Sequence, residues 1–179
     1  MSKTPLTSLI FLFFFINSAY AGWDPTEKTA QSEIGARETI ANFKKADPNL
    51  KTFFKEAYGY AVFPSVTKGG IGLGGAYSKG KVFEKGKVIG SIALHQITIG
   101  LQLGGQVFSE VIFFKDRETL EKFKDNSLTL AAQASAIAAN EGSSANIDYN
   151  SGVAIFTIGK SGYMLEASVG GQKFVFKPK

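Results

Sequence analysis

"KGGIGLGGAYSKGK", Lys68 to Lys81, is the stretch that decides how the chain is read. Within it, Gly70-Ile71-Gly72-Leu73-Gly74-Gly75 fits G-x-G-x-x-G, the spelling of a dinucleotide-binding loop. Such a loop holds phosphate only when a strand precedes it and a helix N-terminus follows it. "AYAVFP" supplies a strand, but "AYSKGKVFEKGKV" has no helical periodicity and no cap, and Lys79 is not followed by Ser or Thr. The nucleotide reading fails on this context. Period two gives the better one: Gly70, Gly72 and Gly74 share one face of a strand, and Ile71, Leu73, Gly75 and Tyr77 share the other. A face of bare backbone lets a sheet bend sharply or a neighbour lie close.

The theme recurs downstream. In "TIGLQLGGQ", Gly100 and Gly104 fall with Thr98, Gln102 and Gln106, against Ile97, Ile99, Leu101 and Leu103. Around these glycines lie segments rich in Ile, Val, Leu and Phe, "YAVFPSV" (a strand stopped by Pro64) and "KVIGSIALHQITIGLQLGGQVFSEVIFF". The C-terminal "GVAIFTIGKSGYMLEASVGGQKFVFKP" has a hairpin pattern turning at Gly159-Lys160-Ser161-Gly162. "LTLAAQASAIAAN" is ambiguous: its alanines suit a helix, yet Leu128, Leu130, Ala132, Ala134 and Ala136 alternate as in a strand. "EGSSANID" reads as a loop.

Helices come first in the chain. In "WDPTEKTAQSEIGARETIANFKKAD", Asp24 is placed to cap, Pro25 suits the first helical position, and Ala36, Ile40 and Phe43 recur at helical spacing. "DPNLKTFFKEAYG" repeats the device, with Asp47 as cap, Pro48 at N1 and Gly59 as terminator. Its Leu50, Phe53, Phe54, Ala57 and Tyr58 form one apolar face. A third helix is expected in "DRETLEKFKDN", capped by Asp116. The sum is one α+β domain: N-terminal helices, then a strongly curved, mostly antiparallel sheet or partly closed barrel, with one inserted helix.

The first 21 residues read as a secretory signal peptide: Lys3, an apolar "LIFLFFFI", then Ala19-Tyr20-Ala21 as a small-x-small cleavage site. Residues 22–179 then form the single mature domain, and the formal charge falls from +5 to +4 with the loss of Lys3. The expected location is periplasmic or secreted. An exported chain has little access to nucleic acid, so the basic excess points to an anionic membrane surface or acidic polymer. There is no cysteine, hence no disulfide, thiol nucleophile or lipobox. His95 is the sole histidine, read as a core or strand-edge residue; with no cysteine beside it, neither a zinc site nor a Ser-His-Asp triad is expected. No catalytic residue, metal or cofactor is assigned, and the chain is read as non-enzymatic.

Taken together, "AYGYAVFPSVTKGGIGLGGAYSKGKVF", "GLQLGGQVFSEVIFF", "LTLAAQASAIAAN" and "GVAIFTIGKSGYMLEASVGGQKFVF" resemble the SYLF domain family in its exported bacterial form, over roughly Ala36 to Phe176. Ala57 to Pro64 matches the family's A-x-G-x-x-x-F-P, and Lys68 to Gly75 its K-x-G-x-x-x-G-G with one glycine shifted. The resemblance implies a lipid-binding module and favours a strand in "LTLAAQASAIAAN". Eukaryotic members bind phosphoinositides, and some contact actin-assembly proteins; for an exported chain, anionic phospholipid is the part that carries over. Family members often have a tryptophan after the glycine strand, whereas "KVFEKGKVIG" has none and the sole tryptophan is Trp23.

The expected function is therefore peripheral binding to anionic phospholipid at the cell envelope. Trp23, Phe53 and Phe54 are the candidate apolar contacts. Lys44, Lys45, Lys51, Lys55 and Lys68 form one candidate basic group, and Lys79, Lys81, Lys85 and Lys87 form a second around a turn. The alternative is a structural or interaction protein of the envelope, binding a protein partner or holding a small lipophilic ligand. The sequence does not fix the oligomeric state.

Overall fold

The computed structural model describes residues 25–128 and 137–179. The expectations placed on the signal segment, on Trp23 and on most of "LTLAAQASAIAAN" lie outside them. Helix α1 spans Pro25–Ala46 and α2 spans Leu50–Glu56. They are followed by two long strands, β1 (Gly59–Glu84) and β2 (Lys87–Phe114), then α3 (Arg117–Lys124), a short β3 (Ile137–Ala138) and a long β4 (Val153–Pro178). The sheet order is β1-β2-β4-β3, with antiparallel β1–β2 and β2–β4 ladders and a parallel β3–β4 contact. The α+β class is as expected, and the two outer strands of this order are not paired to each other among the described residues.

The strands are longer than the sequence suggested, and the reason is local. Pro64 does not stop β1: the ladder shifts register between Phe63 and Val66, so a bulge absorbs the missing N–H. The freed Pro64 carbonyl accepts from Ser109 Oγ at 2.8 Å. Likewise Gly159 to Gly162 is not a hairpin turn. Phe108 faces Gly159 and Val107 faces Ser161, so Lys160 bulges out and β4 continues along β2. The β1–β2 turn is instead Lys85-Gly86, both at positive φ (48° and 78°), as a two-residue hairpin loop requires.

The opening glycines do two things in the fold. A side chain at Gly70 would collide with the backbone of Gly74, so β1 kinks tightly there, and Gly72, at φ 70°, sits in a register shift between Ile71 and Leu73. Beyond the kink, the second half of β1 lies against the first. A side chain at Gly80 would run into the Val62 carbonyl oxygen, Ser78 Oγ donates to the Ser65 carbonyl at 2.8 Å, and Lys85 N–H donates to Tyr58 O at 3.0 Å. Tyr60 stacks on Phe83 with centroids 4.9 Å apart.

Two apolar clusters hold the sheet, one on each face. On the outer face, Tyr60, Val62, Phe83, Val111, Phe113, Ala154 and Phe156 pack under Ala36 and Phe43 of α1 and Leu50 of α2. On the inner face, Ala61, Phe63, Ile112, Phe114, Ile155 and Phe174 meet Leu120 and Phe123 of α3. Asp116 caps α3 as expected, its carboxylate accepting from Thr119 N–H at 2.8 Å. Asp47 does not cap α2 from its side chain. Asn49 occupies the cap without a side-chain bond, and Ala57, not Gly59, ends the helix. Asp47 is fully buried and accepts from Asn49 N–H and from Ser144 N–H, tying the helix junction to the loop before β4.

Candidate functional site

Outer-face residues of the long ladders can be followed strand by strand from the register. Lys81, Lys79, Tyr77, Gly75 and Leu73 on β1 stand opposite Ser91, Ala93, His95, Ile97 and Ile99 on β2. These in turn face Lys177, Val175 and Lys173 on β4. Ile71 and Leu103 extend the row past the kink. Side chains two residues apart share a face, so this is a single strip of surface running out from beneath α1.

Where α1 no longer covers it, the strip is apolar and open. Ile71 is 79% exposed, Ile99 69%, Ile97 68%, Leu73 64% and Leu103 58%. These are the largest unburied aliphatic side chains described, and they are cross-strand neighbours. Beside them Tyr77 packs against His95 with ring centroids 5.1 Å apart. His95 is exposed on the central strand, so it is neither a core nor a strand-edge residue. Sequence reasoning had found this Ile/Leu row opposite the glycines but assigned membrane contact to the helices. The overlooked signal was the row itself, aliphatic residues at every second position on both strands.

The structure separates the earlier candidate residues. Phe53 and Phe54 turn inward: Phe53 meets Phe113 and Phe156 at 5.3 Å, and Phe54 meets Phe113 at 4.7 Å and Tyr60 at 5.1 Å. They are thereby committed to packing α2 on the sheet. Lys44 lies over the Phe54 ring at 5.0 Å, while Lys45, Lys51 and Lys55 are exposed around the α1–α2 junction. Lys68 is half-buried. Lys85 and Lys87 flank the β1–β2 turn, Lys85 over the Tyr58 ring at 5.3 Å. Lys79 is exposed, but Lys81 is not a surface lysine at all: it is 4% exposed and donates to Ser91 Oγ at 3.1 Å. Desolvation holds its pKa below the usual lysine range, opposed by the nearby Glu33 charge.

Lys81 sits in a cleft of about 450 Å³ between α1 and the sheet. Ser32 and Gly35 of α1 form one wall; Gly80, Ala93 and Val175 form the apolar floor, with Lys79 and Lys177 beside it. Glu33 is paired with Arg37 at 2.8 Å, and this hydrogen bond holds its carboxyl below the usual range. Among the described residues no cluster of metal-binding side chains occurs.

The chain is similar in sequence to known proteins. Residues 95–179 match the Ysc84 family model, described as "Las17-binding protein actin regulator". Beta cell expansion factor A of Aeromonas veronii is 29% identical over an alignment of 163 residues that covers 83% of this chain. The chain spans 58% of that relative's length. The match takes in β2 from His95, α3, β3 and β4, and with them half of the exposed strip, so the resemblance read from the sequence is borne out over these residues, which match the Ysc84 (SYLF) family model.

Proposed function

We propose that this chain is a non-enzymatic, exported module of the bacterial cell envelope that binds anionic phospholipid surfaces peripherally. The observation that carries the reading is the row Ile71, Leu73, Ile97, Ile99 and Leu103, five neighbouring aliphatic side chains left open on paired strands. Exposed apolar surface of this kind marks an interaction site. Its surroundings are basic: the chain carries a formal +5, and Lys79 and Lys173 share the face. Each lysine near an anionic surface adds on the order of 1 kcal/mol, and apolar insertion adds to that. The doubling of β1 on itself at Gly70 to Gly74 supports a strongly curved, partly closed sheet.

Vesicle sedimentation tests the reading. The chain is expected to pellet with phosphatidylglycerol-containing vesicles, less so as salt rises, and not with purely zwitterionic ones. Ile97→Ser with Ile99→Ser removes two insertions worth roughly 1.5–3 kcal/mol each when fully buried, so partitioning should fall more than tenfold without loss of fold. Lys51→Glu with Lys55→Glu should weaken binding less. Failure to pellet at low salt would overturn the reading, and an unchanged Ile97/Ile99 double variant would remove the row as its contact.

A further inference from the structure

We propose that the cleft beneath α1 binds a single long-chain anionic amphiphile, its carboxylate on Lys81 and its alkyl tail along the outer face toward Ile97. Three observations meet here. The first is a charge with little exposed surface: Lys81 is 4% exposed, and its hydrogen bond to Ser91 Oγ uses one of three ammonium protons. A buried ammonium is costly without a compensating partner. Glu33 acts on it through space, but that carboxylate is already held by Arg37 at 2.8 Å and also faces Lys179 at 3.9 Å. With Lys79 and Lys177 beside the cleft, the site keeps an excess of positive charge.

The second observation is the cleft itself, which is large enough for a headgroup and the first part of a tail and has a floor of Ala93, Val175 and bare Gly80. Such a floor suits methylenes, not a free inorganic ion. The third is continuity. Six residues separate Ser91 from Ile97 on the same face of β2, about 20 Å at 3.3–3.4 Å per residue, the reach of a long acyl chain. Val175, 40% exposed, lies at the start of that path. A headgroup site and an open apolar track on one face specify an amphiphile with one anionic end. Its headgroup end at Lys81 is separate from the bilayer contact proposed above and only the far end of the tail reaches Ile97, so palmitate binding and vesicle binding can fail independently.

The test is equilibrium binding of palmitate to the purified chain by displacement of a fluorescent fatty acid, with methyl palmitate, butyrate and inorganic phosphate as competitors. Palmitate should bind; methyl palmitate, lacking the charge, and butyrate, lacking the tail, should each compete at least tenfold more weakly. Effective competition by inorganic phosphate would instead make the cleft a plain anion site and overturn the amphiphile. Lys81→Met keeps the stem and removes the charge, and should weaken palmitate at least tenfold while vesicle sedimentation is unchanged. Ala93→Trp, which fills the cleft and leaves Lys81 itself in place, should do the same and covers the case in which Lys81→Met does not fold. Wild-type palmitate affinity in either folded variant, or no palmitate binding by the wild-type chain, overturns the proposal.

Discussion

Folded back on itself at the glycines, the β1–β2 ladder presents two ends, its adjoining termini and its bend, and they obey the same alternation and meet opposite fates. At residues 60–63 and 110–114 both faces are covered, the outer by α1 and α2 and the inner by α3, and Val62, Val111 and Phe113 are fully buried. At residues 71–77 and 95–103 the outer face carries equally apolar side chains, yet Ile97 and Ile99 are more than two-thirds exposed. Strand propensity does not distinguish them, since Ile and Val suit a pleated surface at either end. The difference lies in what the chain supplies to cover them. Its helices are spent on one end, and the glycines at the other leave a bent, bare ladder. Burial that stabilises at one end becomes potential binding energy at the other.

The sharpest way to break this comparison is to truncate one residue at each end. Phe113 touches Phe53, Phe54, Tyr60 and Phe156. Phe113→Ala should therefore cost about 3–5 kcal/mol in chemical denaturation. Ile99→Ala, on the open end, should stay within about 0.5 kcal/mol. A cost at Ile99 close to that at Phe113 would mean that the row is covered in solution, and the contrast between the ends would disappear.

Next in size is a charge placed inside the covered end. Glu110 lies on the inner face opposite Phe63, and its Oε1 has no hydrogen-bond partner among the described residues. Burial pushes its carboxyl up from 4.5 to about 7, with Lys68 pulling the other way. The folded chain thus holds a proton that the unfolded chain has released, so the associated stability is complete below about pH 4.5 and declines as pH rises through 7. A shift of this size corresponds to about 3 kcal/mol. Glu110→Gln should recover up to that amount at pH 8 and flatten the slope between pH 4.5 and 7, as read by urea midpoints. An undiminished slope would place its origin elsewhere.

Much of this was legible because it is local. Pro25 opening α1, Asp116 capping α3, and period two through the glycines are all written within a few residues. What was misread depended on partners far away. Gly159 to Gly162 looks like a turn until β2 is seen to pair on both sides of Lys160. Asp47 looks like a cap until Ser144, nearly a hundred residues on, claims its carboxylate. Lys81 looks like any surface lysine, because only the docking of α1 against β1 decides that it is roofed over. Phe53 and Phe54 fit insertion or packing equally well on a helical wheel, and Phe113 and Phe156 decide between them.

The smallest expected effect tests whether the ends are energetically separate. Asp116 Oδ1 accepts from both the N–H and the hydroxyl of Thr119 at 2.8 Å, and these bonds, the N–H first, hold its carboxyl below the usual range. Its stabilisation is present above the ordinary value of 3.8 and is lost as pH falls, the opposite sense to Glu110. Asp116→Ala should cost about 1 kcal/mol at neutral pH, the usual loss for a helix cap. It should also remove part of the acid-side decline while leaving the Glu110 slope in place. Because α3 covers only the inner face at the far end from Ile97 and Ile99, vesicle binding by the folded variant should be unchanged. A loss of vesicle binding in proportion to the lost stability would show that the open row depends on the covered end for more than its position, and the two ends would have to be treated as one cooperative unit.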